Sequence, residues 1–216
     1  MSDIEVTTFP VAPLGCNCSI LLCKSTKEAI VVDPGGEGPR IVAMLKEKEC
    51  RVRWIVHTHA HFDHVLGTHD VAEHSKTENS DVKVCLHPGD FYLYDIVPVQ
   101  GRMFGISASK METPINHKLE DEQTLGFGKA KLKVLHTPGH TPGSCSFSVE
   151  DSGLLFSGDT LFLGSIGRTD LPGGDSALIL KSIKDRLFVL DDGTQVIPGH
   201  GDFTRIYDEK HYNPFF

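Results

Sequence analysis

Residues 57–64 read His-Thr-His-Ala-His-Phe-Asp-His, placing four histidines and an aspartate within eight positions. Close imidazoles repel once protonated, and neutral ones need hydrogen-bond partners. A divalent cation relieves both conditions, because neutral imidazole and ionised carboxylate are its preferred ligands. The preceding run Arg51–Val56 is β-prone, with Val52, Trp54 and Val56 alternating. In extended chain, residues i and i+2 share a face, so His59 and His61 point together. A turn at Phe62 sends Asp63 and His64 in a new direction, and one loop can then feed two neighbouring ions. The plainer alternative, a loop of solvated histidines, leaves the ligand density without a purpose.

Three later segments share one design of strand, sharp turn and ligand. They are Val134-Leu135-His136-Thr137-Pro138-Gly139-His140, Leu155-Phe156-Ser157-Gly158-Asp159 and Val196-Ile197-Pro198-Gly199-His200. Glycine immediately precedes the His or Asp each time, permitting a bend that other residues resist. A ligand on a strand-end loop sits on a rigid scaffold with its head free.

The elements that must carry these turns follow from periodicity. Residues 4–9, 18–24, 29–32, 51–56, 82–86, 131–135, 145–149, 154–156 and 196–197 read as strands. Residues 39–48, 67–75, 87–97 and 175–187 read as helices, the last capped by Asp175 or Ser176. Residues 98–116, with Pro98, Gly101, Gly105 and Pro114, are expected to form a long loop with apolar anchors. Residues 117–119 and 123–125 are expected to form a hairpin around Glu120-Asp121-Glu122. Asp33, at the end of a buried strand, either supports the metal loop by a hydrogen bond or caps its own turn. Strands interleaved with helices give an α/β class, α+β by some schemes, with layered sheets.

At 216 residues, with 39% hydrophobic and 23% charged side chains, the chain has the balance of one globular unit. A formal charge of −8 argues against nucleic-acid binding. No apolar run approaches the ~20 residues that span a bilayer. The acidic start, Met-Ser-Asp-Ile-Glu, lacks the basic flank and apolar stretch of a leader. Six cysteines in a chain this long do not suggest a disulfide framework. Cys16-Asn17-Cys18 is a lone C-x-C, read as two small residues opening an apolar strand. Cytoplasmic residence is the expectation.

His59-x-His61-x-Asp63-His64, followed by His140, Asp159 and His200, resembles the dinuclear hydrolase pattern of the metallo-β-lactamase superfamily. The flanking runs Thr137-Pro-Gly-His-Thr-Pro-Gly143, Ser157-Gly-Asp-Thr160, Gly167-Arg-Thr-Asp170 and Pro198-Gly-His200 are similar to the single-domain branch of the glyoxalase II group, the hydroxyacylglutathione hydrolases. The resemblance implies a four-layer αβ/βα sandwich over residues 1–216, with the site along one edge. It implies that His59, His61 and His140 hold one ion, that Asp63, His64 and His200 hold a second, and that Asp159 bridges them. His57 and His136 fall outside the set and are expected to pack beside it. Two divalent metals are implied, zinc first, with iron or manganese as alternatives.

Two ions ~3.5–4 Å apart can share a hydroxide at neutral pH, here directed at a carbonyl carbon. A thiolate leaves with little acid assistance, its conjugate acid having a pKa of about 8.5. The implied reaction is hydrolysis of a small-molecule thioester such as S-(2-hydroxyacyl)glutathione, with Asp63 orienting the nucleophile. The sequence departs from two-domain relatives in two respects. Sixteen residues follow His200, so their glutathione-binding helical domain is not expected here, and Arg168 and Asp170 stand where they place Lys and Tyr on glutathione. Arg168 is the candidate substrate contact, with a salt bridge to Asp170 or Asp175 as its competing role. A mononuclear-iron glutathione persulfide dioxygenase is the rival enzyme, and a noncatalytic metal-binding protein the rival of another class. A β-lactamase is disfavoured, because Asp159 stands where those enzymes usually place a cysteine.

Overall fold

The computed structural model describes residues 3–77 and 82–216; Met1 and Ser2, at the acidic start, lie outside the described residues. Strands β1 (Ile4–Val11) and β2 (Cys16–Cys23) form an antiparallel hairpin, and β3 (Glu28–Val32) pairs antiparallel with β2. Then β4 (Arg51–Val56), β5 (Lys83–Leu86) and β6 (His117–Lys118) add in parallel, in chain order. Parallel neighbours require crossovers. These are α1 (Gly38–Glu47), then α2 (Phe62–Val65) with α3 (Thr68–Thr77), then α4 (Phe91–Asp95) with α5 (Val97–Met103).

A second six-stranded sheet is built from β7 (Thr124–Phe127), β8 (Ala130–His136), β9 (Cys145–Val149) and β10 (Leu154–Gly158). It is completed by β13 (Gln195–Pro198) and β14 (Thr204–Arg205), in the order β14-β13-β10-β9-β8-β7. A small hairpin, β11 (Leu161–Phe162) with β12 (Ser165–Ile166), follows β10. Helix α6 (Ser176–Ser182) runs on into a wider π-type turn, Ile183–Leu187, and α7 (Ile206–Tyr212) lies near the C-terminus. Asp175 caps α6, accepting the Leu178 N–H at 2.9 Å.

Alternation decides the layers. Leu21, Ile30 and Val56 of the first sheet meet Leu132, Phe147 and Phe156 of the second in the central core. On the outer face of the first sheet, Val31 and Val52 pack against Ile41, Leu45 and Val71 of α1 and α3. On the outer face of the second, Leu135, Leu155 and Val196 pack against Ile179, Ile183 and Leu187. The result is the four-layer αβ/βα sandwich, with the ligand-bearing turns at one edge of both sheets.

Two expectations are corrected. Residues 117–125 do not form a hairpin. β6 pairs with β5 and β7 pairs with β8, so the acidic segment between them crosses from one sheet to the other. The open edges of β5 and β8 offer more backbone partners than a two-residue hairpin can. Leu119 is anchored to Leu86 O and Glu122 to Val134 O. Residues 97–103 are helical rather than loop. Pro98 falls in the first turn of α5, where its missing N–H costs nothing. Gly101 packs closely, since a Cβ there would stand 2.8 Å from Ile106 O.

Candidate metal centre

The end of β4 delivers His57, the chain bends at Thr58, and His61, in extended conformation, leads into α2, which carries Asp63 and His64. The turns after β8, β10 and β13 bring in His140, Asp159 and His200. All seven expected residues converge in two groups. Nδ1 of His61 lies 3.1 Å from Nε2 of His59 and 2.9 Å from Nε2 of His140. Nε2 of His200 lies 3.2 Å from Nε2 of His64 and 3.1 Å from Oδ2 of Asp63. Asp159 stands between the groups, its Oδ2 3.6 Å from His140 and 3.8 Å from His200, its Oδ1 3.4 Å from His64.

The turn glycines serve two different ends. Gly158 has φ +51°, a left-handed conformation that favours glycine. Gly199 is needed for space, because a Cβ there would lie 2.2 Å from Asp159 Oδ1 and 2.8 Å from His64 Cε1.

Hydrogen bonds on the far ring atoms set which nitrogen faces inward. Asp33 takes the Thr58 N–H on Oδ1 at 2.7 Å, and on Oδ2 the Thr58 hydroxyl at 2.7 Å and His64 Nδ1 at 3.0 Å. Because the Thr58 hydroxyl donates to Asp33, it can only accept from His59 Nδ1, 3.1 Å away. One buried carboxylate thereby fixes both His59 and His64 as Nδ1–H tautomers with Nε2 lone pairs facing the cluster. This settles the sequence ambiguity at Asp33 in favour of support for the loop. His140 Nδ1 donates to the Arg168 carbonyl at 2.7 Å and so presents Nε2 in the same way.

A further support was not read from the sequence. Asp90 is fully buried and accepts from Ala60 N–H at 3.0 Å, the Thr141 hydroxyl at 2.8 Å and Gly143 N–H at 2.6 Å. It ties the His59–His61 loop to the His140 loop. The Pro88-Gly89-Asp90 run read simply as a helix start. His57 is buried between Cys85 O and the Thr68 hydroxyl, and His136 stacks on His87 at 4.1 Å, so both stay outside the cluster as expected. Cys18 packs in the outer core, while Cys16 Sγ stands 3.5 Å from His64 Nδ1, a contact that spacing alone does not reveal.

The electrostatics match a cation site. Burial, reinforced by neighbouring imidazoles, holds His59 well below the usual histidine range and His61 down to about 3, so both are neutral donors at pH 7. Burial opposes ionisation of Asp63, His64 and His200 alike, but the negative groups around the two imidazoles raise both above the usual histidine range. These hold the Asp63 carboxyl at about 2, so a cation entering the site would displace their protons. Asp159 Oδ1 is buried with no hydrogen-bond partner among the described residues. A buried carboxylate oxygen without a hydrogen bond is costly unless a cation satisfies it. The donor set of imidazole and carboxylate fits zinc, iron or manganese.

Arg168 forms a two-pronged ion pair with Asp170, both contacts 2.7 Å. Its competing role from the sequence is therefore present, although the residue also lines the cleft over the cluster. That cleft, about 460 Å³, is bounded by His61, Asp63, His140, Asp159 and His200 on its floor and by α4 and α5 on one wall.

The metallo-beta-lactamase superfamily model matches residues 11–200, and the chain belongs to that family, whose fold carries divalent metal. Two curated relatives cover nearly all of it. A probable metallo-hydrolase YqgX of Bacillus subtilis is 39% identical over 96% of this chain and 95% of its own length. The hydroxyacylglutathione hydrolase GloC of Haemophilus influenzae is 34% identical over 98% of both chains, which supports the glyoxalase II-like branch. Among solved structures, the BLEG-1 B3 metallo-beta-lactamase superposes with a TM-score of 0.87 at 36% identity, covering 98% of this chain and 99% of that one. TTHA1623 in a di-iron-bound form gives 0.84 at 37% identity, covering 97% and 100%. No helix of the described residues is long and apolar enough to cross a membrane.

Proposed function

We propose that this protein is a dinuclear metal-dependent thioester hydrolase, acting on S-(2-hydroxyacyl)glutathione or a close analogue. The observation that carries this reading is the pair of three-ligand clusters with the unpartnered Asp159 oxygen between them. His59, His61 and His140 would hold one ion, Asp63, His64 and His200 the other, and Asp159 would contact both. Three protein donors and a shared carboxylate leave positions for substrate and water, unlike a closed structural site. Two cations there would supply Lewis acidity for the scissile carbonyl and a nucleophile at neutral pH.

The chain's own residues do the rest. Asp63 is ionised throughout the working range and can accept a hydrogen bond from the attacking water, aligning it. Asp33 and Thr58 keep the His59 and His64 lone pairs inward. Water adds to the carbonyl carbon, the C–S bond breaks with its electron pair going to sulfur, one proton of the water passes through solvent to the released thiolate, and the acid formed releases the other to solvent. A thiolate needs no dedicated acid, having a conjugate pKa of about 8.5. Zinc is the proposed metal, and likeness to a di-iron-bound structure makes iron its direct rival.

Likeness to GloC supports the thioester, and likeness to BLEG-1 supplies the competing substrate, a β-lactam. The test is parallel turnover of S-lactoylglutathione and a chromogenic cephalosporin by protein shown to hold two metal equivalents. Thioester hydrolysis well above cephalosporin hydrolysis supports the proposal. The reverse order, or oxygen uptake with glutathione persulfide in place of hydrolysis, overturns it.

A further inference from the structure

The wall of the cleft has an unusual composition. Tyr92, Ile96, Val99 and Met103 line it and recur at intervals of four, three and four residues, the spacing of one helical face carried across the break between α4 and α5. The adjoining face, with Leu93, Val97 and Gln100, is buried against Phe62 and the metal loop, Leu93 and Gln100 still reaching the cleft. The cleft-side stripe is left open: Tyr92 is 71% exposed, Met103 67% and Val99 43%. A contiguous apolar stripe of this kind, on a chain of net charge −8, is what marks an interaction site on a protein surface.

The cleft's charges point the same way. Among its described lining residues, Arg168 is the one permanent cation, and Asp170 already occupies its guanidinium with two 2.7 Å contacts. A glutathionyl carboxylate would therefore have to compete with Asp170 for the cleft's one permanent cation. Binding energy must come chiefly from the other half of the substrate. The stripe is continuous with the floor formed by His61, Asp63 and His140, so an apolar substituent of a carbonyl held there can lie along α4 and α5.

We infer that this cleft selects thioesters with an apolar acyl group, aryl or medium-length alkyl, and that the thiol half points to solvent. The inference rests on the thioester reading above and specifies its substrate class. Water still adds to the carbonyl and the thiolate still leaves with the C–S electron pair, so the acyl group changes binding and not the step. Each methylene buried against the stripe is worth up to about fourfold in affinity.

The test uses metal-loaded protein and two uncleavable thioethers, S-hexylglutathione and S-methylglutathione, measured by calorimetry, beside kcat/KM for S-mandeloylglutathione and S-lactoylglutathione. The hexyl compound is expected to bind at least tenfold more tightly than the methyl compound, and the mandeloyl thioester to exceed the lactoyl by a similar factor in kcat/KM. Met103→Glu, at an exposed position, is expected to bring both ratios towards one, while Val189→Glu, outside the cleft, leaves them as they are. Equal binding of the two thioethers overturns the inference, even where lactoyl turnover sustains the hydrolase reading. Preference for the hexyl compound with no thioester cleaved keeps the apolar cleft and overturns the hydrolase. A change in oligomer mass on Met103→Glu with both ratios intact assigns the stripe to a second copy and overturns the inference.

Discussion

Replacing Asp33 by Asn tests how the metal ligands are oriented. The substitution is nearly isosteric, and Asn tolerates the residue's left-handed backbone, φ +47°, as well as Asp does. The backbone thus stays in place while the hydrogen bonding changes. Asp33 is only 2% exposed and receives three donors: Thr58 N–H, the Thr58 hydroxyl and His64 Nδ1. An amide accepts on one side only. With its NH2 facing His64, it drives that ring to the other tautomer and places a proton on Nε2, where the lone pair is needed. With its NH2 facing the Thr58 amide, it leaves a buried N–H unsatisfied. The second outcome costs about 1–3 kcal/mol of stability. The first resembles loss of an outer hydrogen bond to a ligating histidine, typically 10–100-fold in metal affinity. Asp33→Asn should therefore lower zinc affinity at the His64 cluster by about 10–100-fold, and weaken His59 through Thr58 to a smaller degree. Competition against a chromogenic chelator reads the affinity, and guanidinium unfolding of the metal-free protein reads the stability. Wild-type affinity at both sites in a folded variant would refute the tautomer argument.

Three other perturbations follow from the same geometry. Asp90→Ala strands the buried Ala60 and Gly143 N–H groups and leaves the Thr141 hydroxyl only Ser144 as a partner, so stability should fall by about 2–5 kcal/mol, read by urea midpoint; a loss below 1 kcal/mol would mean that water replaces the carboxylate. Gly199→Ala puts a methyl 2.2 Å from Asp159 Oδ1, and metal content by mass spectrometry should drop below two equivalents while the far-UV spectrum persists. For His87, burial and then the facing His136 depress the pKa to about 4. The folded state thus binds fewer protons than the unfolded chain, whose histidines titrate near ~6.5, and stability is lost as pH falls from there through the folded value. The loss is about 1–2 kcal/mol after allowance for partial exposure. His87→Gln should flatten the difference between urea midpoints at pH 7 and pH 4.5, and an unchanged difference would contradict the assignment.

The site was more legible in the sequence than the frame around its mouth. His59, His61, Asp63 and His64 are close in sequence, and His59 and His61 do meet, 3.1 Å apart, just before α2. His140, Asp159 and His200 each follow a strand whose alternate side chains enter the central core and the outer core in turn. Asp90 stayed hidden because its three partners lie 30 to 53 residues away, and a Pro-Gly-Asp run looks like any turn. Helix α5 was masked by Pro98 and Gly101, breakers in isolation that here occupy a first turn and a close contact. The strands β11, β12 and β14 have two residues each, too few for any period to register.

The central claim is that two cations, held by two adjoining clusters, enable thioester hydrolysis. The most direct measurement is titration of metal-free protein with zinc while following S-lactoylglutathione hydrolysis. Activity should rise to a plateau at two equivalents per chain and be abolished in Asp159→Ala, whose carboxylate faces both clusters. A plateau at one equivalent, or full activity in Asp159→Ala, would contradict the account.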